Sequence, residues 1–406
     1  MELCIERLGA RGDGIAEGGS VYVPFALPGE RVRADLDLGD RARHVKVLEP
    51  SPERIAPVCP HYKRCGGCVL QHGSDRLVAA WKTDMLVEAL AARGIEGVPV
   101  RSMVTAPVAS RRRIAVTARR TRSGILAGFL SAGSAEIVPV THCDVAVPGL
   151  VQILPALEEI VRFGASRKGS VRLTLTSARA GIDLAVTEAK PLQNYEMALL
   201  AGMAARAGLA RLAWNGEVAV TIAPPTHRFG MAEVLPPPGG FLQPTAEGEA
   251  ALVAAVSQAV AGAPRIADLF AGSGTFTLPL AERSEVLAVE GEASAVDALD
   301  AAWRATEGLK AVRARARDLF ARPLRREELK GLDAVVLDPP RAGARAQAEQ
   351  LAEHGPPRIA SVSCNPATFA RDARILIDGG YALDWVQPVD QFRWSAHLEL
   401  VGAFRR

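Results

Sequence analysis

The stretch "DLFAGSGTFTLPLA" (residues 268–281) decides the fold, because it joins a short apolar strand, a Gly-x-Gly turn and the start of a helix. Glycine lets a backbone approach a ligand, and the first turn of a helix presents free N–H groups. Glu290 ends the next strand-like run, "VLAVE", where a carboxylate can accept both hydroxyls of a ribose. The stretch therefore indicates a nucleoside site in an α/β domain, although glycines without a ligand are the structural alternative.

The rhythm of the chain from about residue 248 onward supports the α/β class. Strand-like runs such as "DAVVLD" and "IASVS" are spaced by helical segments, which predicts a doubly wound parallel sheet. A helix, "GEAALVAAVSQAVAG", precedes the first strand, and "LDWVQPV" and "HLELVGAF" end the set. A dinucleotide fold is the alternative, but Thr277 stands where its third glycine belongs.

Two further motifs come at strand ends. Asp338 ends the strand of "VVLDPPRAG", and Cys364 follows the strand of "SVSCNPATFARD". Open α/β sheets bind ligands at the carboxyl ends of their strands, so both side chains are expected to face one crevice. Arg341 stands where amino-methyltransferases carry a stacking aromatic residue, which argues against methylation of an amino nitrogen.

Cys364 has the chemistry to activate an unreactive carbon. A thiolate is a strong nucleophile, and its addition to carbon 6 of uracil turns carbon 5 into an enolate carbon that can attack a methyl donor. A single cysteine at a strand end is more often structural, but beside the other two motifs the catalytic interpretation is favoured. Cytosine-5 methyltransferases place a cysteine after the proline of the Asp338 motif or use two, and "DPPRAG" has none.

The first 240 residues differ from the rest in pattern. Residues 1 to about 50 alternate short strands with glycine turns, which predicts an OB-type barrel with Cys4 in its core. Residues 81–94, "WKTDMLVEALAARG", predict an amphipathic helix. Residues 100–230 mix strands and helices as in α+β domains, and residues 236–240 form a Pro/Gly linker.

Length and charge limit the functional classes. The 406 residues predict two or three domains, and no apolar run approaches the roughly 18 residues of a membrane helix. Without a signal pattern at the N-terminus, a cytoplasmic location is expected. Net charge is only +3, yet residues 101–122 hold seven Arg without an acid and residues 313–326 hold six Arg. Such clusters indicate a surface for a polyanion or, equally, a solvated face.

Four of the six cysteines suggest a metal centre. Cys59, Cys65 and Cys68 have C-x5-C-x2-C spacing in "CPHYKRCGGCVLQH", and Cys143 follows in "THCD". Clustered cysteines in a long chain without a secretion signal favour metal over disulfides. The spacing alone is compatible with an iron–sulfur cluster or a structural zinc.

Taken together, the motifs resemble those of the RNA uracil-5-methyltransferase family, in its branch with an N-terminal TRAM barrel and a 4Fe-4S cluster. The resemblance covers nearly the whole chain and rests on "CPHYKRCGGCVLQH", "FLQP", "DLFAGSGTFTLPLA", "LDPPRAG", "SVSCNPATFARD" and "HLEL". It implies a TRAM/OB-like barrel (1–52), a central α+β iron–sulfur domain (53–240) and a Rossmann-like class I methyltransferase domain (241–406).

The resemblance also implies roles for single residues. Cys364 would be the nucleophile, Glu399 in "HLEL" would remove the carbon-5 proton, and Gln243 in "FLQP" would lie between methyl donor and base. The positions around S-adenosylmethionine would be Phe270, Gly272, Thr275, Glu290, Asp318 and Asp338. The ligands of the 4Fe-4S cluster would be Cys59, Cys65, Cys68 and Cys143.

The implied function is a monomeric enzyme that forms 5-methyluridine in structured RNA, with large-subunit ribosomal RNA (23S rRNA) preferred and transfer RNA as the alternative. A non-catalytic RNA-binding iron–sulfur protein is a further alternative, which intact Cys364 and Glu399 disfavour. Arg111, Arg112 and Arg113 are expected to contact phosphates, or else to brace the middle domain. Thr245 and Thr275 depart from the family, which often has Asn at these positions.

Overall fold

An antiparallel sheet of five strands forms the N-terminal part of the protein, in a computed structural model that describes residues 1–36, 39–166 and 169–406. In the order β3-β2-β1-β4-β5, its strands are β1 (Glu2–Leu8), β2 (Gly14–Ala16), β3 (Tyr22–Val23), β4 (Arg31–Leu36) and β5 (Ala42–Glu49). A bridge between Tyr22 and Arg41 brings the two edges of the sheet towards each other. The sheet is therefore curled into a half-barrel around buried Ile5, Val23 and Val32.

Cys4 lies on the outer face of this half-barrel and is exposed, so the prediction that it faces the core was wrong. Successive side chains of a strand point to opposite faces, and Ile5 takes the buried position. Gly14 packs against Ile5 so closely that a Cβ atom at this glycine would lie 2.8 Å from the Cγ2 atom of Ile5. This contact keeps Ile5 inside and Cys4 outside.

Helix α1 (Asp75–Ala91) begins six residues before the predicted start, because the Ser74 side chain caps it by accepting a hydrogen bond from the N–H of Leu77. Its Leu86 and Leu90 are buried in the core of the C-terminal sheet. Burial of two leucines stabilises this docking by roughly 3–6 kcal/mol. The helix thus joins the cysteine loop before it to the C-terminal part of the chain.

A seven-stranded, mostly antiparallel sheet forms the middle of the molecule, in agreement with the α+β pattern of residues 100–230. In the order β13-β12-β11-β10-β7-β8-β9, its strands are β7 (Arg113–Arg120), β8 (Ile125–Leu130), β9 (Ile137–Pro139), β10 (Ser170–Ala178), β11 (Gly181–Thr187), β12 (Leu209–Trp214) and β13 (Glu217–Thr221). The helical segments are α2 (Gly149–Gln152), a 3-10 turn (Leu154–Leu157), α3 (Glu158–Gly164) and α4 (Asn194–Arg206). A hairpin, β14 (His227–Phe229) and β15 (Ala232–Val234), leads to the C-terminal part.

The C-terminal part is built on an eight-stranded sheet in the order β18-β17-β16-β19-β20-β22-β21-β6, in which only β22 runs antiparallel to its neighbours. Its strands are β6 (Val104–Thr105), β16 (Arg265–Leu269), β17 (Glu285–Glu290), β18 (Val312–Ala316), β19 (Ala334–Leu337), β20 (Arg358–Ser363), β21 (Ala382–Asp390) and β22 (Glu399–Arg405). The helices are α5 (Ala246–Ala259), α6 (Thr277–Ala281), α7 (Ala293–Ala305), α8 (Arg326–Leu329), α9 (Arg345–His354) and α10 (Pro366–Asp378). Apolar cores lie on both faces of the sheet, which confirms the predicted α/β class.

This sheet determines where the candidate site lies. Strands β16 to β20 run parallel, so their carboxyl ends meet at one edge and bring together the loops that follow them. Strand β18 was missed by sequence reasoning, which treated its Arg-rich sequence as part of a basic cluster. Among the described residues, no helix is both long and apolar enough to span a bilayer.

Candidate active site

The glycine loop after β16 leaves space for a ligand. Phe270, Gly272 and Gly274 all have positive φ values, of 64°, 54° and 99°. A Cβ atom on Gly272 would meet no heavy atom within 4 Å, so this turn faces open space rather than packed protein. The Phe270 ring lies 5.4 Å, centroid to centroid, from the half-exposed Phe320 ring. The loop therefore has room for a flat group beside two aromatic rings.

The carboxylates of Glu290 and Asp318 both accept hydrogen bonds from nearby backbone N–H groups. Glu290 accepts hydrogen bonds from the N–H groups of Gly272 (2.9 Å) and Glu292 (2.9 Å), which fixes its carboxylate at the loop. Asp318 Oδ1 caps the following turn by accepting from the N–H of Phe320 (2.8 Å). Each carboxylate oxygen has further lone pairs, so both residues retain acceptor capacity for a ligand.

Three carboxyl groups converge near the loop. Asp268 accepts a hydrogen bond from Thr277 Oγ1 (2.6 Å) through Oδ2, and its buried Oδ1 has no partner among the described residues. Burial raises the pKa of Asp268 to about 7, and the Glu290 charge acts in the same direction. The hydrogen bonds from Thr277 lower this pKa. Burial, with Asp268 and Glu290, raises the pKa of Asp338 to about 7. Such a group of acids is suited to a cation, and the methyl donor carries one.

The Ser-Cys-Asn-Pro turn holds Cys364 at the end of β20. Asn365 caps helix α10 by accepting from the N–H of Ala367 (3.1 Å), and Pro366 occupies the first helical position, which needs no N–H. Asn365 Nδ2 and Thr368 Oγ1 both donate to the carbonyl of Arg341 (3.2 Å each). The turn therefore fixes the "DPPRAG" loop relative to the thiol.

Cys364 and Glu399 line the same cavity and interact electrostatically. Burial, followed by the Glu399 and Asp338 carboxyls, raises the pKa of the Cys364 thiol to about 11, while Arg341 lowers it. Burial and Asp338 raise the pKa of Glu399 well above its usual value, against a hydrogen bond from Gln391 and the charge of Arg341. In the free protein the thiol is therefore protonated at neutral pH, and Glu399 is a stronger base than an exposed glutamate.

Gln243 and Thr245 lie in the buried segment that precedes helix α5. Gln243 Oε1 accepts a hydrogen bond from Gln391 Nε2 at 2.6 Å. The Thr245 hydroxyl caps helix α5 by accepting from the N–H of Gly248 (3.0 Å), which gives a structural reason for a hydroxyl at a position where the family often has Asn. Thr275 is buried within the glycine loop.

The four cysteines Cys59, Cys65, Cys68 and Cys143 line the other end of this cavity, whose volume is about 620 Å³. Burial and the neighbouring thiols raise the pKa of Cys68 to about 12, and burial also raises the pKa values of Cys59 and Cys65. Within the described ranges, no group of three His, Cys, Asp or Glu side chains is arranged to hold a metal ion. The structure thus brings the four thiols to one place without forming a single-ion site.

The arginine triplet is turned into the protein. Arg112 donates to the carbonyl of Gln243 (3.0 Å) and pairs with Glu249, and Arg113 donates to the carbonyl of Gly239 (2.7 Å). Arg111 donates to the carbonyl of Arg113 (2.9 Å) and lines the cavity. For Arg112 and Arg113, these contacts favour the alternative that they brace the protein, because their donors bind the segment that leads into helix α5.

Sequence reasoning missed several residues in and around the cavity. Gln391 contacts two predicted site residues, but it lies in a loop without a recognisable motif. His397 Nδ1 lies 3.3 Å from the guanidinium of Arg341. The guanidinium carbon of Arg111 lies over the Phe392 ring, 5.7 Å from the ring centroid. The only sequence signal for His397 was its position, two residues before Glu399.

Comparisons with known proteins agree with this geometry. Residues 236–405 match the tRNA (uracil-5-)-methyltransferase family. An RNA methyltransferase of Mesorhizobium japonicum is 43% identical over 98% of this chain and 96% of its own length. The 23S rRNA (uracil(1939)-C(5))-methyltransferase of Alkalilimnicola ehrlichii is 36% identical over 100% of this chain and 96% of its own length.

A solved structure shows the same fold. The Pyrococcus abyssi tRNA (uracil-54, C5)-methyltransferase, in complex with S-adenosyl-L-homocysteine, has a TM-score of 0.78 and 24% identity, covering 100% of this chain and 99% of that one. With relatives above 30% identity along its whole length, the chain is a member of the RNA uracil-5-methyltransferase family, whose enzymes depend on S-adenosylmethionine.

Proposed function

We propose that the protein methylates carbon 5 of a uridine in RNA through covalent catalysis by Cys364, with 23S rRNA as the preferred substrate. The observation that supports this most is the position of Cys364 and Glu399 in one cavity, at the carboxyl edge where Asp338 and the glycine loop also lie. A nucleophile and a base close to a nucleoside site are what this reaction requires.

The residues act in a fixed order. The thiol of Cys364 loses its proton to water, and the sulfur forms a bond to carbon 6 while the electrons of the 5,6 double bond move towards carbon 5. S-adenosylmethionine, when bound, supplies the methyl group that carbon 5 accepts. Glu399 then removes the carbon-5 proton, and the electrons of that C–H bond restore the double bond and expel the sulfur.

The methyl donor would be held by the residues that surround the open glycine loop. Glu290 would bind the ribose, Asp318 and the aromatic Phe270 would contact the base, and Asp338 would face the sulfonium. Gly272 and Thr275 would line the loop, and Gln243 would lie between donor and uracil. The open space at Gly272 and the convergent acids fit a cationic nucleoside.

A 4Fe-4S cluster on Cys59, Cys65, Cys68 and Cys143 is part of the proposal. The four cysteines line one end of the cavity, and cysteine thiolates are the ligands that iron–sulfur clusters take. Protein purified without oxygen should be brown with four irons per chain, and colourless protein with one zinc would contradict the cluster.

Three domains, 1–52, 53–240 and 241–406, remain our proposed division of the chain. Helix α1 and strand β6 fall within the middle range by sequence, although they pack and pair with the C-terminal sheet. The half-barrel and the middle sheet would carry the RNA, with the target uracil turned out of its stack at a cost of a few kcal/mol.

The test is methyl transfer by the full-length protein from labelled donor to transcripts of 23S rRNA and of tRNA. We expect 5-methyluridine in the rRNA, none with Cys364→Ala, and a covalent RNA–protein band with Glu399→Gln that survives denaturing electrophoresis. Methylation of tRNA alone would assign the transfer RNA function. Binding of RNA with no methylation of either would leave the non-catalytic alternative.

A further inference from the structure

Gln391 connects two residues of the proposed site. It follows strand β21 and is 1% exposed, and its Nε2 donates to Gln243 Oε1 at 2.6 Å. The same side chain also interacts with Glu399, because a hydrogen bond from Gln391 lowers the pKa of that carboxyl. An amide group has two N–H donors, so Gln391 can serve both partners.

The backbone around Gln391 is shaped to hold this side chain. A Cβ atom at Gly248 would lie 2.5 Å from Gln391 Oε1 and 2.7 Å from its Cβ, so a side chain at that position of helix α5 would displace Gln391. Gln391 Oε1 is buried and lacks a partner among the described residues. The close fit at Gly248 therefore limits where the amide of Gln391 can lie.

We propose that Gln391 is a positioning residue, which orients the amide of Gln243 and holds Glu399 as the carboxylate that removes the carbon-5 proton. Because Gln243 Oε1 accepts the bond from Gln391, the NH₂ group of Gln243 points away from Gln391. It can therefore still donate to a ligand. The bond to Glu399 favours its charged form against burial and the Asp338 charge. This inference rests on the proposed methylation.

The test is the pH dependence of turnover for Gln391→Met, which removes both amide atoms at similar volume. Without its donor, Glu399 takes up a proton at higher pH than in the wild type, because burial and Asp338 then act against Arg341 alone. Turnover at pH 7 should fall roughly ten- to a hundredfold, the effect of losing a hydrogen bond to a charged group. The covalent RNA adduct should accumulate at pH 7 and disappear as the pH is raised.

The matched control is Gln387→Met, in strand β21 just before Gln391, since Gln387 Nε2 donates to the carbonyls of Ser102 and Pro388. It should turn over as the wild type does. Gly248→Ala adds a methyl group that contacts Gln391, so it should shift the pH profile in the same direction. It replaces Gln391→Met as the test variant if Gln391→Met does not fold. An unshifted profile in the folded variant, or an equal effect in the control, would overturn the role of Gln391. Absence of methylation by the wild type would instead contradict the proposed function.

Discussion

At the scale of single residues, Arg341 is the cation that lowers the pKa values of both Cys364 and Glu399. Asp338, Glu399 and the Cys364 thiol interact with one another, and Arg341 is the guanidinium that opposes their mutual repulsion. Burial and like charge therefore raise the pKa values of all three groups. A bound cation would reverse this balance by favouring the charged forms.

Alkylation of Cys364 by iodoacetamide in the free protein should increase about tenfold per pH unit from pH 7 to 10. The reactive form is the thiolate, and burial with Glu399 and Asp338 raises the pKa of this thiol to about 11. Peptide mapping by mass spectrometry separates Cys364 from exposed Cys4, which serves as the internal reference. A rate that levels off below pH 8 would contradict the raised pKa.

The preference of the protein for S-adenosylmethionine over S-adenosylhomocysteine should increase as the pH rises from 6 to 8. Below its pKa of about 7, Asp338 is neutral, and above it the carboxylate attracts the sulfonium that only the first ligand carries. Burial also raises the pKa of neighbouring Asp268 to about 7, so this carboxyl adds to the same trend as it ionises. Calorimetry measures the ratio of affinities, and Asp338→Asn should reduce its pH dependence.

At the scale of elements, the parallel strands and the residues at their ends were predictable, because apolar runs followed by chemically distinctive residues mark the carboxyl edge. Strand β18 was not, since Arg313 and Arg315 break the apolar pattern of an edge strand. The start of a helix was also not predictable from its apolar pattern, since helix α1 begins at the Ser74 cap, before the predicted residue 81. Contacts through loops, such as Gln391 with Gln243, have no sequence periodicity and required the structure.

The Arg-rich segment 101–122 divides into two parts in the structure. The part before β7 is turned inward, whereas Arg119, Arg120 and Arg122, at the far end of β7, are exposed and have no ion-pair partner in the described ranges. Arg172 is exposed on the adjacent strand β10. This end of the middle sheet is therefore where we expect phosphates to bind.

Replacement of Arg119, Arg120 and Arg122 by Gln should weaken RNA binding and reduce its salt dependence by roughly one unit of slope per lost phosphate contact. The control removes the same charge elsewhere, by replacing exposed Arg313, Arg315 and Arg326. Filter binding at several salt concentrations gives both slopes. Equal slopes for the two triple variants would exclude a specific phosphate surface on the middle sheet.

At the scale of the whole molecule, the cavity is formed where three parts of the chain meet. The cysteine loop, the start of β7 and the loop before Glu399 each contribute to its wall. Buried contacts fix this meeting point: Arg112 binds the segment before helix α5, and Lys82 of helix α1 forms an ion pair with Asp390 at 2.7 Å. Lys82 also donates to the carbonyl of Phe392 (3.2 Å), so it holds the loop that carries Gln391.

Lys82→Met should therefore destabilise the protein and impair the site together. Lys82 is fully buried, and removal of one partner of a buried ion pair costs about 3–5 kcal/mol because the other charge is left without a counterion. Urea denaturation measures the loss, and Lys330→Met, at an exposed lysine, is the control.

Adding Asp390→Leu to Lys82→Met should recover much of the stability, since no buried charge then remains. It should not recover turnover, because the loop between Asp390 and Glu399 loses its attachment to helix α1. Full recovery of both stability and turnover would show that the ion pair stabilises the fold without any role in the site.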